Sequence, residues 1–225
     1  MNEELVNKEL KILQERRSIR RFTEEKVPRS LLLNIIKYAC LAPSACNEQA
    51  WRFIIVTESL LKQKIVDAGG SILIAKAPCG ILITYDNRTR NIQYRDDIQT
   101  VGACIQNLLL AAHAHGLGAC WICTLPAKSF LRKIFKIPSH YSPLAYIILG
   151  YPCSKSVADM PRKHPVEKIV SDNCFPLQEA GVKKSLIKTF FGRLLVGIYR
   201  RIPISLKKKY INKIVDKKFT KKFEN

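Results

Sequence analysis

Acidic residues are scarce in this chain: 18 Asp and Glu stand against 38 Lys and Arg, a formal net charge of +20 over 225 residues. The imbalance is uneven. Residues 181–225 hold 14 Lys or Arg and two acids, a net of +12, which leaves +8 (24 basic minus 16 acidic) for the first 180. The excess therefore marks a tail, and composition divides the chain into a 1–180 domain and a 181–225 basic extension. An export signal is also missing. Met1-Asn2-Glu3-Glu4 is acidic and lacks the basic start and apolar run of such a segment. The eight cysteines are thus expected as thiols in a reducing cytoplasm, and Cys40, Cys104 and Cys120 sit in apolar runs where Cys acts as a small hydrophobe.

Other absences narrow the field further. No Gly-x-Gly-x-x-Gly follows any expected strand, which argues against a Rossmann nucleotide site. There is no internal repeat and no low-complexity linker. No Asp, Glu, Lys or Arg occurs between residues 98 and 127, a run long enough to suggest a membrane span. Gln99, Gln106, Asn107, His113 and His115 lie within it, and Gly116-Leu117-Gly118 interrupts it, so a buried helix followed by a buried strand fits better. His113 and His115 are two apart and would face different sides of a helix, while His140 and His164 lie in loop-like stretches, so no metal site is expected.

Hydrophobic residues make up 47% of the chain, ample for a packed core. Helical spacing of Leu5, Val6, Leu10 and Leu13 predicts a helix over 3–15, and Pro28 opens a second running to about Leu41. Strands are expected at 51–57, 80–85, 119–123 and 144–149, and further helices at 60–68 and 128–135. Asp97 reads as the N-cap of a long helix ending at His115, with Gly116 past its end.

Two clusters carry chemistry. Arg16-Arg17-Ser18-Ile19-Arg20 places three guanidiniums and a hydroxyl within five residues, a donor set suited to a dianionic phosphate. Ala42-Pro43-Ser44-Ala45-Cys46-Asn47-Glu48-Gln49-Ala50-Trp51 offers a Pro-Ser turn and an Asn amide ahead of an apolar strand. Each has an ordinary reading too: charge runs are mostly solvated faces, and Pro, Ser and Asn all favour plain turns. In order and about 25 residues apart, the pair resembles the FMN-dependent nitroreductase family, whose pattern has proline where this chain has Ala50. Gln106 to Ala112 followed by Gly116 to Ile122, then Leu149-Gly150-Tyr151-Pro152 and Arg162-Lys163-His164-Pro165, continue the likeness, which spans about residues 10–175.

The resemblance implies an α+β fold, a mixed sheet wrapped by helices, in an intertwined homodimer. It implies FMN as cofactor, NADH or NADPH as donor, and a flat electrophile such as a nitroaromatic, quinone or enone as acceptor. Hydride would pass through flavin N5 in ping-pong turnover. Arg16, Ser18 and Arg20 would contact phosphate and ribityl oxygens, with Arg17 beside them and Arg162 or Lys163 completing the cage, whereas Arg21 is expected on the surface. Pro43, Ser44 and Asn47 would lie against the flavin ring of the other subunit, and backbone N–H groups around Ile122 and Cys123 would face N5. No acid–base residue is singled out. A non-catalytic flavin-binding or membrane-recruited protein stays open, as does a specialised branch (dehalogenase, flavin-fragmenting enzyme or azoline oxidase). Cys120-Trp121-Ile122-Cys123 is a lone C-x-x-C, weak evidence for zinc, and strand alternation opposes a local disulfide.

The tail lies beyond the resemblance. Val182, Leu186, Ile187, Phe190, Phe191, Leu194, Leu195, Ile198, Tyr199 and Ile202 form an apolar stripe at helical spacing, with Lys183, Lys184, Lys188, Arg193, Arg200 and Arg201 among them. About ten such side chains on one stripe are costly to leave in water, since burying each contributes roughly 1.5–3 kcal/mol. Basic amphipathic helices over 182–220 fit an anionic membrane surface, making the protein peripheral to the membrane, or packing on the dimer. Nucleic acid is disfavoured, because no aromatic-rich basic groove is visible.

Overall fold

A computed structural model of the chain describes residues 10–88, 91–153 and 165–174, together with Ser185, Ile187, Phe190, Phe191, Leu194, Leu195, Gly197, Ile198, Ile202 and Leu206 of the tail. Its contacts divide the chain into two units, 1–155 with 203–225, and 156–202. The first unit holds the sheet. Following a helical segment over 10–15, it contains α1 (Arg29–Ala39), β1 (Trp51–Val56), α2 (Ser59–Asp67), α3 (Leu73–Lys76) and β2 (Cys79–Asp86). It continues with α4 (Asp96–Ala114), β3 (Gly118–Ile122), α5 (Lys128–Phe135) and β4 (Tyr141–Gly150). In the second unit a 3-10 turn spans Val166–Lys168.

The four strands form one sheet in the order β1-β2-β4-β3, antiparallel throughout. Parallel pairing enters through the N-terminal segment, where Ser18 bridges Ala119 of β3. Strands β2 and β4 are almost wholly buried, which explains their continuous apolar sequences: helices cover both faces, so no polar alternation is required. On one face α1 and α4 pack Leu32, Ile35, Ile105 and Leu108 against Ile81, Ile83, Ile147 and Leu149. On the other, α2, α3 and α5 pack Ile65, Ile74 and Leu131 against Leu82, Tyr146 and Ile148.

The uncharged run resolves as expected into α4, a turn and β3, and Gly116 takes the left-handed conformation (φ 75°) that ends the helix. Strand β4 begins three residues before the expected Leu144, at Tyr141. Pro143 lacks an N–H, but β3 pairs only as far as Tyr146, so that end of β4 is an edge that tolerates proline, with a register shift between Ile83 and Thr84 absorbing the irregularity. The N-cap expectation at Asp97 fails. Helix α4 starts at Asp96, and the Asp97 carboxylate is buried in an ion pair with Arg95, Nη2 to Oδ2 3.1 Å. The short α3 carried no sequence signal, since four residues are too few to display a period. The first residues of the expected 3–15 helix lie outside the described residues.

Candidate active site

The basic segment is held on the edge of β3 by its apolar residues. The Ile19 amide donates to the Ala119 carbonyl at 3.0 Å, the Thr23 amide to the Tyr151 carbonyl at 2.8 Å, and Phe22 bridges Pro152. This non-local pairing fixes where the intervening polar side chains go. Arg16, Ser18 and Arg20 all lie within electrostatic reach of the buried Cys120 thiol. Burial pushes that thiol up, and Arg20, the Ser18 hydroxyl and Arg16 each oppose the shift, while Cys123 adds to it. The Arg17 guanidinium donates to the carbonyls of Gln14 and Arg16, the latter at 3.1 Å, at the end of the N-terminal helical segment. Arg20 Nη1 donates to the Ser18 carbonyl at 3.1 Å. Arg21 is exposed.

The Arg16 Nε is buried and has no hydrogen-bond partner. A buried guanidinium N–H left unsatisfied is costly, and an anionic oxygen would satisfy it. With Ser18 exposed beside it, the cluster fits a phosphate-bearing cofactor such as FMN. Arg162 and Lys163, the expected completion of the cage, lie outside the described residues.

The second cluster is held on α4. The Ala45 amide donates to Thr100 Oγ1 at 3.3 Å. Within the loop, Ser44 Oγ accepts from the Gln49 amide at 3.1 Å and Asn47 Oδ1 from Gln49 Nε2 at 2.7 Å. Cys46, Asn47 and Gln49 all adopt positive φ (50°, 58° and 48°), a conformation that non-glycine residues seldom take and that the surrounding hydrogen bonds must hold. Pro43 and Asn47 are exposed and Ser44 half-buried, so the loop presents its polar groups outward. Ala50 keeps an N–H that proline would lack. That N–H and Thr100 lie beside the buried Tyr85 hydroxyl without forming a well-aligned bond to it.

Beyond β3, Ile122 is buried and Cys123 exposed, and the Ser71 amide pins the next residue by donating to the Thr124 carbonyl at 3.1 Å. All eight cysteines are free thiols. Cys120 and Cys123 differ in environment because Cys123 lies past the strand end. No cluster of metal ligands occurs among the described residues. Thr100 and Ser71 contribute to holding these groups, and nothing local in the sequence marks either, since each acts across a long loop closure.

The sequence model of the Nitroreductase family matches residues 13–73 and 67–151. A protein of Methanothermobacter thermautotrophicus named for NADH dehydrogenase/NAD(P)H nitroreductase is 35% identical over 147 residues, 64% of this chain and 76% of its own. An iodotyrosine deiodinase of Haliscomenobacter hydrossis is 27% identical over 197 residues, 72% of this chain and 88% of its own. Among solved structures, an FMN-dependent nitroreductase of Clostridium difficile superposes with a TM-score of 0.63 at 28% identity, covering 72% of this chain and 98% of that one. With both sequence clusters and the whole sheet inside the matched region, this chain belongs to the nitroreductase family.

Proposed function

We propose that this chain, an NAD(P)H-dependent FMN oxidoreductase of the nitroreductase family, passes hydride from NADH or NADPH to a flat electrophilic small molecule: a nitroaromatic, quinone or enone. The observation that carries the reading is the buried, unpartnered Nε of Arg16 beside Ser18 and Arg20 on the edge of β3. The flavin, when bound, supplies the hydride chemistry at N5, with donor and acceptor using one face in turn.

The chain's own residues bind and orient. Arg16 and Arg20 grip the phosphate oxygens, Ser18 donates from its exposed hydroxyl, and Arg17 closes the helix end that leads into the cluster. Arg162 or Lys163 adds a further cation. The backbone around Ile122 and Cys123 faces N5, so its side chains need no acid–base capacity. The Pro43–Ser44–Asn47 loop rests on the ring of the partner's flavin, which makes each site a product of two chains and the working unit a homodimer. We place this activity in the cytoplasm.

A dehalogenating role is the second reading, favoured by the deiodinase relative. Against it stands the short connection between β2 and α4, from Asn87 to Arg95, which leaves little chain for a lid over a halogenated substrate. Steady-state rates with a nitroaromatic, a quinone and a halogenated phenol decide between them. Turnover of the first two, with parallel double-reciprocal lines against NADH or NADPH, is expected. Turnover of the halophenol alone would replace the proposal with dehalogenation.

A further inference from the structure

The tail holds a feature that this activity does not use. Ile187, Phe190, Phe191, Leu194, Leu195 and Ile198 recur at steps of three and four, which gathers them on one face of a helix. All six have helical backbone, and all are exposed, from 47% at Leu194 to 69% at Ile187. The rings of Phe190 and Phe191 meet edge to face at 6.0 Å, and the Ile202 amide donates to the Ile198 carbonyl at 3.2 Å. A contiguous apolar stripe of this size marks a docking surface.

Two observations say what covers it. The family match ends at residue 151, and the Clostridium difficile structure is covered over 98% of its length by only 72% of this chain. The stripe therefore lies outside the part of the chain that the family model describes. The second is charge. Lys188 and Arg193 interrupt the stripe in sequence, Lys183, Lys184, Arg200 and Arg201 flank it, and residues 181–225 carry 14 Lys or Arg against two acids. An apolar face set among so many cations matches a surface that is oily below and negative above. The stretch 187–198 is only twelve residues long and contains Lys188 and Arg193, too short and too charged to cross a bilayer, which suits a helix lying in the interface.

We propose that the helical segment carrying Ile187, Phe190, Phe191, Leu194, Leu195 and Ile198 is a membrane anchor that lies in the headgroup region of a bilayer rich in anionic lipid. Its six apolar side chains enter the acyl boundary, and the surrounding Lys and Arg meet lipid phosphates. The anchor sets where the oxidoreductase works; the reaction itself needs none of these residues.

The test sediments the full-length protein with vesicles of phosphatidylcholine alone or mixed with phosphatidylglycerol, at low and high salt. Expected is at least about tenfold more binding to the anionic vesicles, falling several-fold at high salt because exposed charges are screened. A full-length F190S/F191S/L194S variant should lose that binding with its thermal transition unchanged. A second variant, K188Q/R193Q, should bind several-fold less and guards against misfolding of the first. Protein left in the supernatant with both vesicle types would overturn the proposal, as would binding indifferent to lipid charge and salt. So would a fall in the solution mass of the F190S/F191S/L194S variant by analytical ultracentrifugation, which would assign the stripe to contact between copies of the chain.

Discussion

A Cβ added at Gly118 would lie 2.6 Å from the Cβ of Ile19, and the next residue of β3, Ala119, accepts the Ile19 amide at 3.0 Å. Gly118 is thus a position where the basic segment packs too close to the sheet for a side chain to fit. The approach is needed because Arg16, Ser18 and Arg20 reach the Cys120 region only if Ile19 sits flush on the strand. Gly118→Ala should push the segment off, weakening FMN binding roughly tenfold at a stability cost of about 1–3 kcal/mol, the usual range for overpacking. Titration of apoprotein with FMN beside a urea melt reads both effects. Unchanged affinity would mean that the cluster does not depend on this seat.

The arginines themselves should separate by position. Arg16→Ala and Arg20→Ala are each expected to weaken FMN binding by several-fold or more, because charge-assisted bonds to phosphate outweigh neutral ones. Arg21 is exposed and outside the cluster, so Arg21→Ala should leave affinity nearly unchanged. Equal losses at all three positions, measured by the same titration, would reduce the cluster to diffuse charge.

Much of this arrangement was legible in the sequence, and the part that was not has a common cause. The two clusters, the uncharged helix–strand run and the helix over 128–135 are local patterns, and they appear where local pattern puts them. The docking of the Arg16–Arg20 segment on β3 is different. It arises from a bridge between Ser18 and Ala119, about a hundred residues apart, and pairing at that range leaves no periodic trace. Asp97 misled because an acid ahead of a helix usually caps it, whereas here Arg95 takes its carboxylate. The positive φ angles at Cys46, Asn47 and Gln49 were hidden as well, since only Asn among those residue types is a customary left-handed former.

The core offers a prediction independent of any cofactor. Tyr146 is fully buried, its hydroxyl has no partner, and a Cβ on Gly80 would lie 2.2 Å from that oxygen. Gly80→Ala must displace a packed tyrosine and should cost about 1–3 kcal/mol. Tyr146→Phe removes a hydroxyl that gains nothing from burial and should hold stability or raise it by up to about 1 kcal/mol. Thermal midpoints of the two variants should therefore move in opposite directions, or the first alone should fall.

Alkaline pH should weaken the fold through its buried thiols. Burial pushes Cys79 from 9.0 up to about 11 and Cys104 up to about 12. Between the unfolded and folded values the folded chain holds more protons, so this stability is fully present below about pH 9 and is lost as pH rises through the folded values. Lys62 beside Cys79 works the other way, because burial lowers its amine and the penalty of its charge lifts as pH rises. Cys79→Ala should flatten the decline in urea stability between pH 9 and 11 by at most about 1.4 kcal/mol per pH unit. An unaltered slope in that variant would place the alkaline loss elsewhere.

The most direct test of the account as a whole is stopped-flow mixing of the full-length, FMN-loaded protein with NADH and with NADPH in the absence of oxygen. The purified chain should take up FMN, turn yellow, and lose its visible flavin absorption rapidly with at least one of the two donors. Protein that stays colourless after incubation with FMN, or that binds flavin but is bleached by neither donor, would contradict it.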